Sequence, residues 1–323
     1  MTAGKEATTL VVPAGADGDP LELPVLVARG RLGGPHVVVL GGVHGDEYEG
    51  VAATATVWRD LDVARLRGQV SIVSVANPPA FAVGMRTSPV DGANLARTFP
   101  GSPSGTLTER IAHQLSEALI RRADLLIDLH SAGQHYAMPL LCGSYSGADD
   151  LGRRCRAAAL AFGAPVYWAH SDVSPGRSLS VALAAGVACI YAECGGGGRV
   201  RPLDLHAYRL GVCRVLAHIG ALPPMDPAPA PGLRLRSSGD VDRALAVTHA
   251  GVLVEHTSVL TRVEQDDVLG EVVDERGATV QTLRAPCRGV VVMARRTARV
   301  RPGDGAYLIA VPDDSEEEEE DVQ

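Results

Sequence analysis

Lysine is nearly absent from this chain. Lys5 is the single lysine among 30 basic residues, so no later position can carry a lysine-linked prosthetic arm. Paired cysteine spacing is also missing. The six cysteines (Cys142, Cys155, Cys189, Cys194, Cys213 and Cys287) are scattered through 323 residues, which argues against a disulfide framework and fits a reducing, cytoplasmic setting. No apolar run approaches the roughly 20 residues that a membrane span needs. The N-terminus lacks a charged segment followed by an apolar core, so no secretory leader is expected. A basic excess is missing too. Formal net charge is −8, and eight of the 38 acidic residues lie at 313–321, leaving 30 acidic against 30 basic residues elsewhere. Nucleic-acid binding needs a basic patch and is not expected. The acidic tail is a block of like charge and reads as disordered and solubilising.

The apolar content is high, 46% of residues, enough for a large core and two domains. From about 36 to 220, apolar runs alternate with amphipathic segments. Strands are expected at 37–40, 70–75, 125–129, 165–168 and 187–192. Helices are expected at 47–59, 106–121, 148–161, 179–185 and 203–218. This alternation predicts an α/β layer architecture, in which ligands bind at the carboxyl ends of strands. Two further strands, 8–12 and 23–28, are expected at the sheet edge. Residues 1–222 thus form a catalytic domain, and the Pro-rich segment 223–232 reads as a linker. Short strands then replace helices, giving a small all-β domain at 233–312, followed by the acidic tail at 313–323.

The β domain carries Ala285-Pro286-x-x-Gly289 and Val300-x-Pro302-Gly303-Asp304. These resemble the barrel-sandwich fold of biotinyl and lipoyl carrier domains. With no lysine available for modification, the expected role is packing on, or shaping the entrance to, the catalytic site.

Two strand ends hold the chemistry. Gly41-Gly42-Val43-His44-Gly45-Asp46-Glu47 follows one apolar run, and Asp128-Leu129-His130 closes another. Glycines let the backbone leave a strand sharply and approach an ion closely. His44, Glu47 and His130 give two imidazoles and one carboxylate, the donor set of a catalytic zinc site with one position open to water. Asp128 fits either an acceptor that orients an imidazole or a loop cap.

Further pieces follow in order: Asn77-Pro78, Arg86, Asp91-Gly92-Ala93-Asn94-Leu95-Ala96-Arg97, and Ala192-Glu193-Cys194-Gly195-Gly196. Together with the two strand ends they make the chain resemble the succinylglutamate desuccinylase and aspartoacylase family, a branch of the zinc carboxypeptidase fold. The resemblance covers about 36–220 and implies a mixed sheet flanked by helices. It implies that His44, Glu47 and His130 bind Zn2+ and that Glu193 is the general base and acid. It also implies that Arg86 lies by the scissile carbonyl or an acidic group and that Arg97 binds a substrate carboxylate. Guanidinium groups suit both tasks. One position departs: the family commonly reads Asn-Leu-Asn-Arg, and here Ala96 precedes Arg97. One donor to a substrate carboxylate is therefore missing, and Asn94 is the candidate to compensate.

Other residues have blander readings. Asp91 braces its loop, Arg177 is a surface arginine with substrate contact as the alternative, and His170 is a satisfied loop histidine. Cys194 is a buried small side chain, His135 and Tyr136 border the pocket, and 195–198 lacks the Gly-Lys-Ser/Thr ending of a phosphate loop. The expected function is a zinc-dependent amidohydrolase acting on a small N-acyl amino acid or related amide. The partners are then a small-molecule substrate, with no nucleic acid and no membrane, and a homo-oligomer is left open. Alternatives are a metallocarboxypeptidase and a non-catalytic binding protein on the same fold.

Overall fold

The structure, a computed structural model, describes residues 3–15, 18–237 and 239–313. The acidic tail beyond Asp313 lies outside the described residues. Strands β1 (Gly4–Val12), β2 (Leu21–Arg29), β3 (Leu32–Gly41), β4 (Arg67–Val73) and β5 (Leu125–Leu129) open the chain. Then come β6 (Tyr136–Ala137), β7 (Leu141–Tyr145), β8 (Val166–His170), β9 (Ala188–Glu193) and β10 (Leu233–Arg236). Helices α1 (Tyr48–Asp60), α2 (Pro78–Val83), α3 (Leu107–Ala118), α4 (Asp150–Phe162), α5 (Ser178–Ala184) and α6 (Pro202–His218) alternate with them.

The sheet runs β1-β2-β4-β3-β5-β9-β7-β8-β10 and then continues into the C-terminal strands. Its centre is parallel: β3 pairs with β4 and β5, and β5 with β9. The outer pairs β1/β2 and β2/β4 are antiparallel, and β7 enters antiparallel to β9. The result is a mixed sheet flanked by helices. Every residue of β5 is buried, which is why its sequence is almost wholly apolar.

Helix starts follow local chemistry. Thr106 accepts from Glu109 N while the Glu109 side chain accepts from Thr106 N, a reciprocal cap on α3. Asp149 caps α4, and Asn77 caps α2, which ends at Gly84 in the left-handed region. No helix among the described residues is long and apolar enough to cross a membrane.

The Pro-rich segment does not interrupt the sheet. β10 pairs parallel with β8 and antiparallel with the strand Gly305–Pro312. One buried cluster joins Trp168 and Leu141 of the first part to Val292, Leu308 and Ala310 of the second. The rest of the C-terminal region is strand-rich and has its own core around Leu253, Leu269, Val272 and Tyr307.

Candidate active site

The carboxyl ends of β3, β5 and β9 meet on one side of the sheet. His44 lies in the turn after β3, Glu47 is the residue before α1, His130 follows β5, and Glu193 ends β9. His44 Nδ1 lies 2.7 Å from Glu47 Oε1, and His130 Nδ1 lies 2.9 Å from Glu47 Oε2. The ligand atoms of these three residues all lie within 4.8 Å of one another. Gly50, in the first turn of α1, makes this convergence possible: a Cβ there would stand 2.4 Å from the carbonyl oxygen of Leu129.

The donor set fits a divalent metal of the zinc type. Both imidazoles present Nδ1 to the centre and are held from behind through Nε2. His44 Nε2 is 3.0 Å from Asn94 Oδ1, and His130 Nε2 is 3.3 Å from Asp128 Oδ1. The Asn94 acceptor fixes the tautomer that leaves His44 Nδ1 its lone pair, and the Asp128 carboxylate faces His130 as an ion-pair contact without hydrogen-bond geometry. Asp128 is itself fixed by a hydrogen bond donated by Ser178 Oγ. Ser131 N also donates to Glu47 Oε2 at 3.1 Å, and Tyr208 Oη donates to the His130 carbonyl at 2.7 Å.

The electrostatics show how tightly the cluster is coupled. Burial opposes ionisation of Glu47, yet the facing imidazoles of His44 and His130 hold it well below the usual carboxylate range. Burial also opposes charge on His130, yet Asp128 and Glu47 push it well above the usual histidine value. Burial and then the Arg86 charge lower His44. Burial first, and the charge of Glu47 second, raise the Glu193 carboxyl to about 8. Glu193 Oε2 is out of solvent and has no hydrogen-bond partner among the described residues, which is unusual for a buried carboxylate unless a ligand completes it.

A cavity of about 100 Å³ opens in front of the cluster, lined by His44, His130, Arg86, Arg97, Glu193 and Tyr191 among others. A second space of about 320 Å³ shares Arg86, Met138, Glu193 and Val241 with it and reaches Ala244, Ala246 and Met293. The C-terminal region therefore supplies part of the entrance.

The other candidate residues are placed as follows. Arg86 Nη1 donates to Glu47 Oε1 at 2.9 Å, and its half-exposed guanidinium lines the cavity. Arg97 lines it too, but Nε and Nη2 donate to Asp242 at 2.7 and 2.9 Å. Asn94 does not line it: Oδ1 accepts from Ala96 N at 3.0 Å as well as facing His44. Asp91 braces its loop by accepting from Thr108 N and Oγ1. Cys194 is buried, and burial raises its thiol far above its usual range, so it is no nucleophile.

Two expectations change. Arg177 is not a surface arginine; it lines the cavity and donates to Asp240 at 2.7 Å. His170 is the buried end of β8 rather than a loop residue, held by the Ser237 carbonyl and Tyr191 Oη at 2.9 Å each. Asp240 and Asp242 carried no signal in the sequence, because they reach the cavity-lining Arg177 and Arg97 across 63 and 145 residues of chain.

A mixed α/β sheet with two histidines and two glutamates converging at its strand ends defines a hydrolase-type scaffold. Known proteins agree with that class. The sequence profile of the succinylglutamate desuccinylase/aspartoacylase catalytic domain matches residues 33–219, and the chain belongs to this family. The N-alpha-acetyl-L-2,4-diaminobutyric acid deacetylase of Halomonas elongata is 32% identical over 292 residues, covering 89% of this chain and 85% of that protein. A succinylglutamate desuccinylase from Silicibacter sp. TM1040 superposes with a TM-score of 0.87 at 29% identity, over 97% of this chain and 96% of that one. The product-bound ectoine utilization protein EutE (DoeB) of Ruegeria pomeroyi gives a TM-score of 0.88 at 28% identity, over 96% of both chains.

Proposed function

We infer that the protein is a zinc-dependent amidohydrolase that releases the amine from a small N-acyl amino acid. The observation that carries this reading is the unpartnered Glu193 Oε2, whose residue lines the same cavity as His44 and His130 of the His44, Glu47 and His130 donor cluster. The Halomonas relative is named for removing an acetyl group from a diamino acid, so deacylation of that kind is the activity best supported here.

His44, Glu47 and His130 would hold Zn2+, which when bound lowers the pKa of a coordinated water from 15.7 towards about 7 and polarises a carbonyl. Glu193 takes the proton of the attacking water and delivers it to the leaving amine nitrogen. Arg86 offers its remaining N–H groups to the oxygen that becomes negative in the tetrahedral intermediate. Arg97 offers its unused N–H groups to the substrate carboxylate. Asn94 acts through His44, whose ring it orients, rather than on the substrate. The scattered cysteine spacing fits a reducing, cytoplasmic setting.

Replacing Glu193 with Gln tests this assignment. The variant is expected to lose roughly 10²–10⁴ in kcat while keeping wild-type metal content. Retained turnover would remove Glu193 from the mechanism.

A further inference from the structure

Three arginines line the cavity, as if for an anionic ligand, yet each already faces a carboxylate. Arg86 is bound to Glu47 at 2.9 Å, Arg97 to Asp242 at 2.7 Å and Arg177 to Asp240 at 2.7 Å. The last two acids come from one short segment, Gly239 to Arg243, that leaves the end of β10 and crosses beside the cavity. Its conformation is set locally: the Asp240 side chain accepts from Asp242 N at the start of a 3-10 turn, Val241–Arg243. Gly239 and Val241 line the cavity themselves.

Arg97 is only partly consumed. Nε and Nη2 go to Asp242 and Nη1 to the Ala96 carbonyl, which uses three of the five guanidinium N–H groups. Two remain, enough for one substrate carboxylate. A second carboxylate would have to turn to Arg177, whose charge faces Asp240 and, at 3.9 Å, Asp242. Asp172, on the loop between β8 and α5, also lines the cavity and accepts from its neighbour Ser171 Oγ at 3.2 Å. The wall beyond the amide site is thus compensated or acidic.

We propose that Asp240, Asp242 and Asp172 are specificity-determining residues: they admit N-acyl amino acids with an ammonium-bearing or neutral side chain and reject those with a second carboxylate. The proposal rests on the deacylase reading and names its substrate class. Attraction of the ammonium and repulsion of the extra carboxylate act together, so selectivity has a built-in rejecting element.

The test compares kcat and KM for N-acetyl-L-2,4-diaminobutyrate, N-acetyl-L-norvaline and N-acetyl-L-aspartate in the wild type and in the double variant Asp240→Asn, Asp242→Asn. The wild type is expected to prefer the diamino substrate over the aspartate one. In the variant that preference, as a ratio of kcat/KM values, is expected to fall by about 10- to 100-fold, mostly through KM, and the ratio should become less sensitive to salt. A merely structural role would lower all three substrates together and leave the ratio unchanged, which would overturn the proposal. Asp172→Asn touches neither arginine pair and keeps the test open if the double variant does not fold. Its ratio should fall in the same direction, and an unchanged ratio counts against the proposal. If the wild type hydrolyses none of the three, the deacylase reading fails separately. Calorimetric binding of 2,4-diaminobutyrate and aspartate then decides: a diamino preference lost in the variants supports the charge selection, and equal binding overturns it.

Discussion

At the residue scale, the metal-type cluster was legible because its members stand at the ends of apolar strands. A charged or imidazole side chain there must find a partner or a ligand. His44, His130 and Glu193 carry that mark and line one cavity, and Glu47, in the turn after β3, joins them through its contacts to both imidazoles. Asn94 shows the limit of such reading. The donor missing at Ala96 suggested Asn94 as a substitute, but its oxygen faces His44 Nε2 at 3.0 Å, a contact across 50 residues that no local pattern encodes. A prediction follows from that contact. Asn94→Ala removes the acceptor that fixes the His44 tautomer, so metal affinity should drop roughly 10- to 100-fold. Competition with a chelating dye measures this, and an unchanged affinity would show that His44 needs no such partner.

At the element scale, the strands with continuous apolar runs and the capped helices were readable from sequence, and the helices near 47–59, 148–161 and 203–218 fall within a residue or two of their observed bounds. β7 was not foreseen. It pairs on both sides, with β8 and β9, and its Gly143 lies under the Tyr191 ring, where a Cβ would come within 2.1 Å of it. What makes Leu141–Tyr145 a strand is its neighbours rather than its own pattern. α2, only six residues long, was too short for a periodic signal. The close seat of α1 on β5 gives a second prediction. Gly50→Ala would drive its Cβ towards the Leu129 carbonyl, 2.4 Å away, where backbone must shift. A loss of about 1–3 kcal/mol is expected from chemical denaturation, together with weaker metal binding, since α1 and β5 carry Glu47 and His130. A neutral effect on both would contradict the packing described.

His170 links three strands, β8, β9 and β10, and supplies a pH dependence. Burial is the largest cause that lowers it from 6.5 to about 4. Between those values the unfolded chain binds a proton that the folded protein refuses. Its contribution is therefore whole above 6.5 and is lost as pH falls towards 4, amounting to about 3 kcal/mol for this 3% exposed side chain. A thermal unfolding series from pH 7 to pH 4 should show a decline that His170→Asn weakens. Identical pH profiles would remove His170 as its source.

At the scale of the whole molecule, one sheet joins both parts of the chain. The sequence suggested a linker and a small all-β domain packed on the catalytic part, because composition changes sharply at the Pro-rich segment. Composition does not report pairing, and β10 on the far side of that segment adds to β8 in parallel register. The same continuity puts Asp240 and Asp242 beside the cavity. Of the carrier-like motifs of the C-terminal region, Gly303 lines the second space, together with Met293 and Gly305. Metal bound at the junction of three strands should stabilise the fold by mass action, by about 4 kcal/mol when free metal exceeds its dissociation constant a thousandfold. A lower melting temperature after chelation, restored by zinc, is the expected outcome.

The most direct test of the central claim is metal content measured together with amine release from a panel of N-acyl amino acids, with and without chelator. The account predicts about one zinc per chain and release that the chelator abolishes and zinc restores. A purified protein without bound metal that still hydrolyses the panel, or one that neither binds zinc nor releases amine, would contradict it.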